Sequence, residues 1–85
     1  MAWTVTVAKP AQKQTARFPA KDQAKIGAAV RSMGDDPFAG DVIKLEGEDN
    51  LWRRRVGSYR VFFAVDTTAK TVAVTAILRR TSKTY

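Results

Sequence analysis

Cysteine and histidine are both missing from these 85 residues. Without cysteine there is neither a disulfide framework nor a thiolate metal site. Without histidine the commonest general base and the commonest metal ligand are gone. No cofactor or metal is expected. No apolar run approaches the roughly 20 residues that a membrane span needs. The opening MAWTVTVAKP lacks the charged start and long apolar stretch of a signal peptide. The expectation is a soluble, cytoplasmic protein with no membrane partner. Its length suits a single domain over residues 1–85, small but able to fold alone.

Acidic side chains are also scarce where it matters. Residues 1–50 carry seven Lys/Arg against seven Asp/Glu, whereas residues 51–85 carry eight Lys/Arg against Asp66 alone. The whole net charge of +7 therefore sits in the C-terminal part. A merely soluble surface mixes its signs. This asymmetry favours nucleic acid or another polyanion as partner.

Leu51 to Asp66, LWRRRVGSYRVFFAVD, organises the rest. It reads as two strands joined by a two-residue turn at Gly57-Ser58 of the II′ kind, with Gly supplying the positive φ. That turn sets Val56 opposite Tyr59, Arg55 opposite Arg60 and Arg53 opposite Phe62. Side chains alternate across a sheet. Arg53, Arg55 and Arg60 then share one face, and Trp52, Val56, Tyr59, Val61, Phe63 and Val65 share the other. The second face is apolar enough to bury. Gathered guanidiniums repel, so the first face asks for an anionic partner.

In chain order, Trp3 to Val7 alternates as a strand. Lys9-Pro10 opens a helix with Ala11, Thr15 and Phe18 as its narrow apolar stripe. Pro19 ends it and starts a second helix over 20–33, where Ile26, Ala29, Val30 and Met33 share a face. Gly34 is expected to cap this helix, and Gly27 to allow close packing on the first. The connection from Asp35 to Asn50 holds six of the eight acids. Ile43 and Leu45 are expected to pin it to the core as a short extended piece. Thr71 to Leu78 makes a further strand with Val72, Val74, Ala76 and Leu78 facing the core. Strict alternation then puts Arg79 on the Arg60 face and Arg80 on the other. The order β-α-α-β-β-β describes an α+β, two-layer domain: an antiparallel sheet with two helices packed on one face and the arginines on the other.

With these residues, that order resembles the RelE/ParE toxin superfamily of bacterial toxin–antitoxin systems. The resemblance is carried by Lys44-Leu45-Glu46-Gly47, by Arg53-Arg54-Arg55-Val56-Gly57-Ser58-Tyr59-Arg60, and by Arg79/Arg80 with the closing Tyr85. Asp36-Pro37-Phe38-Ala39-Gly40 and Trp52-Arg53-Arg54-Arg55 also look like the YoeB branch. In that branch and in RelE, the resemblance implies a toxin that cleaves messenger RNA on the ribosome and is inhibited by a cognate antitoxin. The partners implied are mRNA, the ribosome and the antitoxin, the free toxin being a monomer and the inhibited form a hetero-oligomer. The ParE branch instead poisons DNA gyrase. Two departures stand out. The family places an apolar residue where Arg54 stands, and the acidic general base of YoeB has no clear match, Val42 or Ile43 falling near its place. Chemistry like that of RelE, carried by cations and a tyrosine, is what this chain could support.

Metal-free RNA cleavage uses the neighbouring 2′-hydroxyl as nucleophile. Arginine suits the charge that builds on phosphorus, because its planar fork matches phosphate oxygens and stays charged. Arg60 is the first candidate, with Arg53 and Arg79 or Arg80 beside it. Tyr85 is the candidate for proton transfer or base stacking. Arg55, Lys83 and Phe62 are candidates for RNA binding. Plainer readings accompany them. Arg60 could pair with an acid of the 35–50 connection, Arg55 could tie the hairpin to the chain termini, Arg53 could be simply solvated, and Tyr85 could be a packing plug. Trp52 and Phe63 read as core. A gyrase inhibitor without nuclease activity and a non-catalytic RNA-binding module are the alternatives to an enzyme.

Overall fold

The computed structural model describes residues 2–45, 47 and 50–79. Period-two alternation of Thr and Val makes β1 (Thr4–Val7). Pro10 occupies the first turn of α1 (Lys9–Ala16), where its missing N–H leaves nothing unpaired. Pro19 stands at the N-cap of α2 (Ala20–Ser32). Then follow β2 (Val42–Lys44), β3 (Leu51–Val56), β4 (Tyr59–Asp66) and β5 (Thr71–Arg79).

The strands form one sheet in the order β1-β5-β4-β3-β2. β1 runs parallel to β5, and every other neighbour is antiparallel. The two-layer α+β architecture is as expected, with the sheet mixed and extended by the short edge strand β2. Both helices lie on the same side. Ala11, Ile26 and Met33 meet Tyr59, Val61, Phe63, Val65, Val72, Val74 and Ile77 in one buried cluster. Trp52 and Val56 pack against it, and Phe63 is fully buried, so Trp52 and Phe63 are core residues.

The hairpin register is the expected one: Val56 pairs with Tyr59, Arg55 with Arg60, and Arg53 with Phe62. Gly57 has φ +57 while Ser58 does not share its positive φ, which is the II′ pattern.

β5 departs from strict alternation. Phe62 pairs with Ala76, but Phe63 pairs with Val74, so Thr75 is an extra residue on β5. Such a bulge reverses the facing of everything beyond it. Val72 and Val74 face the core as expected. Beyond the bulge Ile77 is buried instead of Ala76 and Leu78, and Leu78 is 46% exposed.

The connection before β3 is pinned differently from the expectation. Ile43 is exposed, and Val42 packs on the core instead. Pro37 is fully buried, and Phe38 packs edge-on at 4.8 Å from Trp52 and 6.2 Å from Trp3. The reason is parity: Val42 pairs with Arg54 and Ile43 with Arg53, so Ile43 falls on the open face. Gly34 is buried but lacks the left-handed φ of a capping glycine; Met33 is the C-cap. A Cβ on Gly27 would meet the Arg31 guanidinium at 3.3 Å, so that glycine makes room for its own helix's side chain and not for α1.

Candidate nucleic-acid interface

The helix-free face of the sheet carries the arginines in two rows. One row runs Ile43, Arg53, Phe62, Ala76 across β2, β3, β4 and β5. The next runs Arg55, Arg60, Leu78 across β3, β4 and β5. Arg55 and Arg60 are directly opposed, and Arg53 is the diagonal neighbour of Arg60. In antiparallel pairs such neighbours lie about 5 Å and about 7–8 Å apart. Three guanidiniums thus converge on one patch flanked by Ile43, Phe62 and Leu78.

Their surroundings differ. Arg53 and Arg60 are half-buried, and the Nε of each is enclosed without a hydrogen-bond partner among the described residues. Neither pairs with a carboxylate among those residues. Enclosed donors without acceptors cost stability. The two charges are not neutralised by a carboxylate among the described residues, and a phosphate is an acceptor whose oxygens a guanidinium fork matches. Arg55 is different: its Nε contacts Asp41 Oδ2 at 2.9 Å, and its backbone N–H donates to the Asp41 carbonyl at 2.9 Å. It is tied to the segment entering β2, while Met1 and residues 80–85 lie outside the described residues.

Arg79 is not with Arg60. It pairs with Tyr59 on the helix side, because the bulge at Thr75 reverses its facing, and Leu78 takes the place across from Arg60. Arg80, Lys83 and Tyr85 lie outside the described residues. Phe62 stands on the open face next to the arginines, half-buried. Of the two residues near the place of the YoeB acid, Ile43 is the one that faces this patch, and it cannot move a proton.

Arg54 alternates to the helix side, and β3 stays regular around it. Its Nη1 donates to Ser32 Oγ at 2.8 Å and to the Ala29 carbonyl at 3.3 Å. A cation at a helix C-terminus meets the negative end of the helix dipole, and here it shares the Ala29 carbonyl with the Ser32 hydroxyl, which donates to it at 2.7 Å. Gly40 lies over this guanidinium with φ +90, and a Cβ there would come within 3.2 Å of it. Arg54 is thus a cap for α2 and not part of the anion patch.

On the helix side, Tyr59 is 4% exposed, and its hydroxyl donates to Asp22 Oδ2 at 2.6 Å. That bond to Asp22, followed by burial and the Asp22 charge, raises the Tyr59 pKa above the usual phenol value, with Arg79 opposing. The Phe18 ring packs tilted against Tyr59, centroids 4.5 Å apart. The turn between the helices is thereby clamped to the base of β4, one residue from Arg60. A groove of about 540 Å³ between α1 and α2, lined by Val7, Thr15, Ile26, Val30 and Ile77 among others, is mostly apolar and lies on the side away from the arginine patch.

The sequence signals for Arg53, Arg55 and Arg60 were turn chemistry and alternation, both local. Asp41 carried no such signal, since its partner stands fourteen positions away on β3.

A family model described as the ParE toxin of the type II toxin-antitoxin system parDE matches residues 3–83. No curated protein matches the sequence. Among solved structures, a chain of the archaeal RelE–RelB complex from Pyrococcus horikoshii OT3 is 26% identical, with a TM-score of 0.85 over 96% of this chain and 99% of that one. A chain of the RelBE2 toxin–antitoxin complex from Mycobacterium tuberculosis is 20% identical, with a TM-score of 0.84 over 94% and 100%. The isolated E. coli RelE toxin is 14% identical, with a TM-score of 0.81 over 98% and 89%. The last two likenesses are of fold.

Proposed function

This chain belongs to the ParE toxin family of type II toxin–antitoxin systems, within the RelE/ParE superfamily, and from that premise we propose that it is a toxin that cleaves messenger RNA on the ribosome and so stops translation. The observation that carries the proposal is the pair Arg53 and Arg60, half-buried on one open face with no carboxylate partner among the described residues. In the reaction, the 2′-oxygen of the target nucleotide forms a bond to phosphorus as the bond from phosphorus to the 5′-oxygen breaks. The attacking oxygen loses a proton and the leaving oxygen gains one. Arg60 and Arg53 hold the non-bridging oxygens as negative charge builds on them. Preorganised donors of this kind stabilise the transition state more than the ground state. Phe62 supports a nucleobase beside the phosphate. Tyr85, Arg80 and Lys83 are proposed to complete the proton transfer and the grip on the strand. In the resting cell a cognate antitoxin covers the arginine face with an acidic, amphipathic segment. RelE–RelB complexes among similar structures support a partner of this type.

Primer extension on messenger RNA from expressing cells tests the reading. The wild type is expected to leave cuts within translated frames. Arg60→Ala is expected to lower cleavage by about 10²-fold, the loss typical of one transition-state donor. Intact transcripts from the wild type would refute it. A second reading, inhibition of DNA gyrase without nuclease activity, is favoured by the ParE description of the matching family. It predicts intact transcripts, stalled replication and a loss of gyrase supercoiling on adding the purified toxin.

A further inference from the structure

Arg55 shares the open face with Arg53 and Arg60 yet is the one member of that trio with an ion-pair partner among the described residues. The partner, Asp41, sits where the chain enters β2, held by the Arg55 N–H to Asp41 carbonyl bond at 2.9 Å. The pair is wet, with side chains 50% and 49% exposed. Exposed ion pairs contribute little to stability. Its location matters more. Arg55 stands directly opposite Arg60, and like charges directly opposed on a sheet repel. The Asp41 carboxylate relieves that repulsion when no anion is bound, and a phosphate would relieve it equally well. A carboxylate and a phosphate offer a guanidinium the same kind of acceptor.

We propose that Asp41 is an internal substitute for phosphate at Arg55, so that it sets how tightly the open face holds a single-stranded nucleic acid. In the free protein Arg53 and Arg60 are the open anion subsites, and the Arg55 subsite is occupied by the protein's own carboxylate. A bound strand must displace Asp41 to use the third subsite; otherwise Arg55 stays paired and only two subsites are filled. This rests on the nucleic-acid reading of the face. It makes Asp41 an affinity-setting residue, opposite in sign to a residue that merely supports Arg55.

The test is a binding titration of the full chain with a fluorescent 2′-O-methyl RNA oligonucleotide, which cannot be cleaved, at several salt concentrations. Asp41→Asn keeps the shape and the backbone carbonyl and removes the charge. Expected is a roughly 3- to 10-fold lower Kd at low salt. The slope of log K against log salt should steepen by about 0.7, the value for one more phosphate contact on a single strand. In the Arg55→Ala background the same change should have no effect. Asp35→Asn, an equal charge change away from the patch, should tighten binding less than Asp41→Asn. Asp41→Ser repeats the measurement with a second side chain, and thermal unfolding identifies any variant that fails to fold. If Asp41→Asn binds like the wild type or more weakly, while Arg60→Ala still binds less tightly than wild type, the Asp41 proposal fails and the phosphate-binding face stands. If the wild type shows no salt-dependent binding and Arg60→Ala changes nothing, the face itself has been misread and the proposal fails with it.

Discussion

Arg54 shows how much one residue's role depends on what lies across from it. Its neighbours Arg53 and Arg55 face the open side, and it faces the helices. Charge alone would place all three in one patch. The guanidinium instead ends on Ser32 and the Ala29 carbonyl, at the last turn of α2. Arg54→Ala removes a charged donor from two acceptors there. Hydrogen bonds to charged groups are worth about 1.5–3 kcal/mol, and water can replace part of this one, so the expected loss is about 1–2 kcal/mol. In a domain of this size each kcal/mol shifts Tm by roughly 4–8 °C. Thermal unfolding checks the loss. Nucleic-acid affinity, measured beside Arg60→Ala, should hardly change, because Arg54 lies on the other side of the sheet. A drop in affinity equal to that of Arg60→Ala would show that Arg54 belongs to the anion patch after all.

At the scale of the element, β5 carries the lesson. Its sequence TVAVTAIL alternates as far as Thr75 and then runs Ala76-Ile77-Leu78, an apolar stretch that does not by itself choose a face. The extra residue at Thr75 is visible only in the pairing with β4, where the Thr75 hydroxyl donates to the Phe62 carbonyl at 3.3 Å. One residue of slip exchanges the two faces. Ile77 goes inward at 2% exposure, and Leu78 goes out to join Arg60. Ile77→Ala should therefore cost about 2–5 kcal/mol, the usual range for emptying a buried branched site. Leu78→Ala should stay within about 0.5 kcal/mol. Urea unfolding of the two variants decides it, and an unbulged strand would give the reverse ranking. The hairpin of β3 and β4 behaves otherwise. Gly57 fixes its own turn, and every pairing follows from that one position.

For the whole molecule, the joint between layers is the Tyr59–Asp22 bond, which ties the start of α2 to the base of β4. The folded-state pKa of Tyr59 is raised, first by its hydrogen bond to Asp22 and then by burial and the Asp22 charge. A group whose folded pKa lies above its unfolded one binds more protons when folded. Its contribution is complete below the unfolded phenol value of about 10 and is lost as pH rises through the folded value. Tyr59→Phe should lower the urea midpoint at about pH 8. The gap between wild type and variant should then narrow steadily above about pH 10. A gap that is constant with pH would mean the phenol is not the joint. The same clamp anchors the strand beside Arg60: Tyr59 is held on one face, and its neighbour stands on the other.

Much of this protein was already decided one short stretch at a time. The turn at Gly57-Ser58, the alternation through β3 and β4, the prolines that open both helices and the excess of cations after residue 50 are local properties. They determine the hairpin register, the buried face and the gathering of Arg53, Arg55 and Arg60. Other features depend on partners distant in the chain, and no local pattern encodes them. β1 finds β5 through an association of strands more than sixty residues apart. The bulge at Thr75 arises from fitting β5 to β4. Asp41 meets Arg55, and Arg54 meets the end of α2, only when β2, β3 and the helices are stacked together. Turns and alternation act through the bonds and sterics of neighbouring residues, whereas bulges and cross-strand ion pairs are settled by packing, which exists only once the layers have closed.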